Sequence, residues 1–399
     1  MKKIALGLFA LALSAMPLMA EEVMNPIITA MPSLSIAPDA HAGGLGDVGA
    51  ATTPDLNSQH WNPAKYAFME SHGGITANYT PWLTKLVNDI NLAYIAGYYN
   101  ISDKAGALGM SFTYFGLGDV QLTDMFGEEL AMAAPNEWAI DLSYSRKLHE
   151  YVSMAVAMRF LYSDLNNGVN AGNTGGSAME LYPGWTMAAD VALYYRQPIE
   201  LSMGTSYFAL GLNVSNLGGK ISYDENNTSS FIPANLRLGA SYELAFDNYN
   251  RLSINADVNK YLVPASKGSK YAVDENGNPL EGQALKQWYY NLSSPRGWGQ
   301  SFADAPGGFK EEMREIQYGV GLEYSYDRKF FGRVGYSHEN QWKGNRRYVT
   351  LGAGFHLSIV TLDVSYVIAT AASNPLDNTL RFSLGFDLAG IKDLVNNKK

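Results

Sequence analysis

Gly335-Tyr336-Ser337-His338-Glu339 sets a hydroxyl, an imidazole and a carboxylate side by side, the three groups of a hydrolytic relay. Neighbouring positions on a strand point to opposite faces, so three adjacent groups do not converge. The run reads as a strand end entering a loop. Gly44-Leu45-Gly46-Asp47-Val48-Gly49 matches the glycine string that cradles phosphates. No buried parallel strand leads into it, and Ala50 to Pro54 opens no amphipathic helix, as a dinucleotide site requires. Glycines of a tightly packed segment fit better. Asp274-Glu275-Asn276-Gly277-Asn278-Pro279 resembles a calcium loop but lacks the glycine at the sixth position and the late bidentate glutamate. Asn276-Gly277 is instead a ready hairpin turn. The other histidines, His41, His60, His72, His149 and His356, are scattered without ligand spacing, and no GxSxG or HExxH occurs. With no cysteine, thiol catalysis, disulfides and thiolate metal sites are removed. The expectation is a non-enzymatic protein with no catalytic residue, metal or cofactor.

One cluster suits recognition. Trp288, Tyr289, Tyr290, Trp298 and Phe302 crowd a single stretch, followed by Pro306-Gly307-Gly308-Phe309. Exposed apolar patches usually mark contacts, so these five are the candidate partner-binding residues. The alternative is that they fold back as a lid. Lys310 to Ile316 suits a short helix.

The elements that carry these residues alternate with period two. In Val152 to Ser163, Val152, Met154, Val156, Met158, Phe160 and Tyr162 share one face. Ser153, Ala155, Ala157, Arg159 and Ser163 share the other, with Leu161 the exception. Asn378 to Leu388 repeats the pattern. Such alternation means one oily and one wet face. Fourteen such stretches lie between residues 73 and 388, most of them about the 9–11 residues a tilted membrane strand needs. The fold class is therefore all-β: a 14-stranded antiparallel transmembrane β-barrel with an N-terminal plug segment.

Connections alternate short and long. Asp103-Lys104, Glu150 and Asp327-Arg328 are short; Val120 to Asn136, Asp164 to Pro183, Gly218 to Pro233 and Val263 to Glu315 are long. Outer-membrane barrels have short periplasmic turns and long external loops. That sorting predicts both termini in the periplasm and the long loops outside. The wet faces carry Asp141, Asp190, Glu243, Asp257, Glu323 and Asp363 against Arg159, Arg237, Arg251, Arg333 and Arg381. Near-balance of sign suits a hydrogen-bonded lattice across the interior more than an ion-selective pore.

Lys2 and Lys3, the apolar run Ile4 to Leu13 and Ala20 before Glu21 read as a signal peptide over residues 1–20. Without Lys2 and Lys3 the balance is 27 basic against 38 acidic, which argues against nucleic acid as a partner. The 26 tyrosines suit aromatic girdles at the membrane interfaces. The expected layout is a periplasmic or plug segment at 21–70, a barrel at 71–390 with a long external loop at 263–315, and a periplasmic tail at 391–399.

Ala42 to Ala50, followed by Trp61-Asn62-Pro63-Ala64-Lys65, resembles the glycine-rich stretch and NPA motif of FadL-like barrels. That makes Asn62, Pro63 and Ala64 the plug motif. Ser301 to Glu312, Gly344 to Gly354 and Asn374 to Phe382 resemble one subgroup, the PorV family of type IX secretion. The resemblance implies an outer-membrane shuttle that carries cargo. Its partners would be the C-terminal signal domains of secreted proteins, a large translocon barrel of the SprA type and an attachment complex with a PorU-type sortase. It also implies contact with outer-membrane lipid and lipopolysaccharide. One departure is that thirteen residues follow Phe386, where such barrels commonly end on an aromatic. Two other readings remain open: a FadL-like transporter of hydrophobic small molecules, and a lipopolysaccharide deacylase, for which no acid–base cluster is found.

Overall fold

The computed structural model describes residues 24–85, 87, 89–123, 128–167, 182–224, 228–357, 359–371 and 376–388. The signal segment, the tail at 391–399 and Asn374-Pro375 lie outside the described residues, as does most of the connection Asp164 to Pro183. Fourteen strands form the barrel. They are β1 (Gly73–Pro81), β2 (Asn91–Ser102), β3 (Gly106–Gly116), β4 (Asn136–His149), β5 (Val152–Asp164), β6 (Gly184–Leu201) and β7 (Gly204–Gly218). The ring continues through β8 (Asn235–Ala245), β9 (Asn250–Tyr261), β10 (Gln317–Tyr326), β11 (Phe330–His338), β12 (Arg347–His356), β13 (Val360–Ala369) and β14 (Leu380–Asp387). Each pairs antiparallel with its sequence neighbours, and β1 closes on β14 with Gly74 opposite Asp387 and Tyr79 opposite Phe382. Closure leaves no edge, which a hydrocarbon environment demands because unpaired backbone groups there are costly. Among the described residues no helix is long and apolar enough to cross a membrane.

The alternation read from sequence is the alternation of inside and outside. Val156 and Met158 face out while Ser153, Ala155, Ala157 and Arg159 are buried within. Charged residues line the interior, where each finds its opposite. Arg251 meets Glu243 at 2.6 Å, and Arg333 meets Glu323 at 2.6 Å and Asp363 at 2.5 Å. Arg159 bridges Asp141 and Asp190. A bulge between Ala189 and Val191 leaves Asp190 without a ladder partner on β7, and it accepts the Asn216 amide at 2.8 Å. On the lipid face each arginine would cost up to about 2–4 kcal/mol near the bilayer midplane, and each carboxylate less.

Residues 31–69 fill the lumen. Asn62 explains the NPA motif: its Nδ2 donates to the carbonyls of Ala50 and of Leu193 on β6, both at 2.9 Å, while its Oδ1 accepts the Ala64 amide at 3.0 Å. Pro63 starts the turn Pro63–Phe68, where its missing N–H is no loss. Ala64 is small enough to pack against Ala155, Ala192, Tyr194 and Ala209. The glycine string makes close approaches rather than a phosphate cradle. A Cβ on Gly49 would sit 2.4 Å from the Trp61 ring, and one on Gly46 2.7 Å from the Tyr336 backbone. The Gly49 and Ala50 amides donate to one oxygen of Asp257 on β9, at 2.8 and 3.0 Å.

Among the described residues, the N-terminal segment does not start at the short-turn mouth, where both termini are expected. β1 starts beside the short β2–β3 turn, since Gly73 pairs with Tyr99. Yet the Asn25 amide donates to the carbonyl of Trp342, in the connection after β11, at the opposite mouth. The segment therefore enters among the long loops and runs through the barrel before β1 begins. Period two fixes which side of a strand faces in, but it carries no information on the path of a segment without period.

Candidate functional site at the long-loop mouth

The longest connection, between β9 and β10, folds into three short helices: α1 (Gly282–Asn291), α2 (Ser294–Gln300) and α3 (Phe309–Arg314). Ahead of them, Asp274 accepts the amides of Asn276 and Asn278, and Gly277 takes φ 83° in a tight reversal. These hydrogen bonds, led by the one from the Asn278 side chain, hold the Asp274 carboxyl below its usual range.

α1 is fastened from beneath. Tyr289 is buried and meets the Phe231 ring edge-on at 5.2 Å, with Val263 and Leu292 completing the cluster. Lys220, from the β7–β8 connection, donates to the carbonyls of Tyr289 and Tyr290 at 2.9 and 3.1 Å. Its ammonium lies 4.2 Å over the Phe231 ring. A cation there satisfies carbonyls that a helix C-terminus leaves open. Burial lowers Lys220 to about 8.

α3 rests on an ion network. Lys260 reaches Glu315 at 2.6 Å and Glu312 at 3.1 Å; Lys343, after β11, reaches Glu311 at 2.6 Å and Glu315 at 3.0 Å. Burial disfavours the charge on Glu311, but the Lys343 ammonium outweighs it and holds the carboxyl below its usual range. Asp304 accepts the Ala265 amide at 2.7 Å and pins the loop to the end of β9. Burial pushes Asp304 up to about 6, and Glu315 and Glu312 push the same way.

These anchors decide which of the five aromatic candidates are presented. Tyr289 is turned inward, and Trp288, Tyr290 and Trp298 are half-buried. Phe302 alone of the five is open, at 52%. Phe309 and Met313, four residues apart on α3 and so on one face, are exposed at 79% and 49%. They are further exposed apolar side chains of the same loop, and Met313 lies outside the aromatic count. The Ser-His-Glu run does not assemble: His338 stacks on Tyr318 at 4.7 Å, while Glu339 takes Arg346 at 2.8 Å and Gln317 at 2.8 Å. Among the described residues no group of three His, Asp or Glu side chains is placed to hold a metal.

A closed ring of fourteen strands, apolar outside and ion-paired within, with its own N-terminal segment in the lumen, defines an outer-membrane β-barrel. A family profile described as "Type IX secretion system protein PorV" matches residues 19–268, more than half of the 399. The chain belongs to the PorV family. No curated protein sequence matches it. Among solved structures it is similar to a FadL homologue of Pseudomonas aeruginosa, at 11% identity and TM-score 0.43, covering 91% of this chain and 99% of that one. It is also similar to the toluene transporter TodX of Pseudomonas putida, at 9% identity and TM-score 0.44, covering 87% and 96%. CymD, a monoaromatic hydrocarbon channel, follows at 11% identity and TM-score 0.43, covering 88% and 95%.

Proposed function

We propose that this protein is the outer-membrane shuttle of a type IX secretion system. It takes the C-terminal signal domain of secreted cargo at a large SprA-type translocon and passes it to a PorU-type sortase complex at the cell surface. It does no covalent chemistry itself. The long loops face outward, where lipopolysaccharide and the attachment machinery lie. Family membership supports the pathway. The observation that carries the carrier role is the braced loop 262–316, which holds Phe302, Phe309 and Met313 open to solvent over a base of ion pairs. Apolar side chains held out by buried ion pairs are poised for a partner, since a loop folding back as a lid would hide them.

The test is Phe302→Ser combined with Phe309→Ser. Both side chains are exposed, so the barrel should assemble and keep its heat-resistant migration on gels. Cargo at the cell surface should fall at least tenfold while cargo accumulates inside. Unchanged surface display would reject the loop as the docking site.

A further inference from the structure

The N-terminal segment has two halves that are held differently. From Asp39 onward it is pinned. Trp61 Nε1 and the Ala42 amide donate to Asp39, Asp257 takes two amides, and Asn62 ties to β6. Residues 24–30 are not. Among the described residues their backbone reaches the rest of the chain through two amides, Asn25 to the Trp342 carbonyl at 3.0 Å and Ala30 to the Phe231 carbonyl at 2.9 Å. Ile28 stands 61% exposed. Space remains between Pro26–Thr29 and the Glu315, Lys343 and Arg346 side chains opposite. Ile27 packs on the Phe231–Tyr289 cluster. Met31 joins the halves at φ 48°, a left-handed conformation that a non-glycine residue rarely adopts.

The loose half crosses the whole mouth. Asn25 is tied to the loop after β11, while Met31 packs with Ala139 and Ser33 bonds Glu137, both on β4. Strands β4 and β11 are seven apart in a ring of fourteen, so they face each other. The six residue steps from Asn25 to Met31, at about 3.3 Å each, give roughly 20 Å of reach when extended. The groove thus takes one extended segment by two amide-to-carbonyl bonds, the Asn25 side-chain amide donating to Glu311 at 3.1 Å, and one aliphatic side chain. Backbone pairing for affinity and one pocket for specificity is how extended peptides are recognised.

We infer that residues 24–30 are a displaceable strap, and that the groove they fill is the receptor for an extended segment of the cargo. That segment brings two backbone amides, five residues apart, to the Trp342 and Phe231 carbonyls, and an aliphatic side chain to the seat of Ile27. Strap and cargo exclude each other, so apparent affinity scales with the fraction of time the strap is out. The inference rests on the carrier reading of this mouth, yet it can be tested without any cargo protein.

A fluorescent synthetic peptide of residues 24–35 is titrated onto three forms of the detergent-solubilised full chain. These are the unaltered protein, Ile27→Asp, and Asn25→Cys with Trp342→Cys joined by a short bismaleimide. The chain has no cysteine, so the link forms only there. Ile27→Asp should bind the peptide at least tenfold more tightly than the unaltered chain, and the linked form should not bind it. If Ile27→Asp does not assemble, Asn25→Ala with Ile27→Ser makes the same comparison. Absence of binding to a loosened variant that keeps heat-resistant migration overturns the inference, as does equal binding to the linked form. Peptide binding as expected, with cargo display unaffected by the link, would reject the carrier reading of this mouth and leave the strap.

Discussion

The seam between plug and wall is set by glycines on both sides, and Gly335→Ala probes it. Gly335 lies in β11 facing the lumen, and a Cβ there would sit 2.1 Å from the Gly46 amide nitrogen and from the Leu45 carbonyl carbon. Both are backbone atoms, so no rotamer change relieves the contact. The plug must withdraw. Overpacking of this kind costs about 2 kcal/mol. Withdrawal also breaks the bond from the Gly46 amide to Thr350 Oγ, now 2.9 Å, and leaving that buried donor unpaired costs about 2 kcal/mol more. At about 1.4 kcal/mol per decade, the two together raise the population of unseated plug roughly a thousandfold. A reporter is at hand, because Ser58 is fully buried in the plug and Ser58→Cys introduces the sole thiol. Its maleimide labelling rate should rise by about that factor in Gly335→Ala. Gly332→Ala is the control: it lies on the same strand, and a Cβ there meets nothing within 4 Å. Equal labelling in the two variants would refute the claim that backbone contact seats the plug.

Arg251→Met strips Glu243 of a partner at 2.6 Å and leaves a buried carboxylate uncompensated, at about 3–5 kcal/mol. The midpoint of the heat-induced gel shift should fall, and adding Glu243→Leu should restore much of it. Leu161→Ala empties the lumen-facing seat against Ala30 and Met31, so the plug contact should weaken by about 2–5 kcal/mol and the segment should become sensitive to added protease. Asp304 has the opposite sign from a usual acid. Its folded value of about 6 lies above the ordinary 3.8, so the folded loop holds the proton more tightly than the unfolded loop does. Anchoring is then strongest below about pH 4 and is lost as pH rises through 6. Amide exchange in Ala265 and α1 should quicken between pH 5 and 7.5, and Asp304→Asn should flatten the change.

Much of the barrel is legible in the chain because each strand reports its own two faces. Leu161 shows how fine that reading can be. It breaks the alternation of β5, and the break marks where an apolar plug residue meets the wall. Asn62, Pro63 and Ala64 stand out as a motif, and the structure supplies the reason in two carbonyls and a four-residue alanine and tyrosine pocket. The mouth was less legible. Five aromatics mark the right loop, but Tyr289 and Phe302 look alike in a sequence, and Lys220 decides which one is buried. Lys220 lies in another connection, some seventy positions away.

Taken alone, the sequence determined strand number, facing and the parity of the connections, since each depends on residues within one strand or one loop. Only the tertiary structure decided that the N-terminal segment crosses from one mouth to the other, and which aromatics of the long loop meet solvent. Those outcomes depend on bonds such as Asn25 to Trp342 and Lys343 to Glu315, whose partners come together only when the ring has closed.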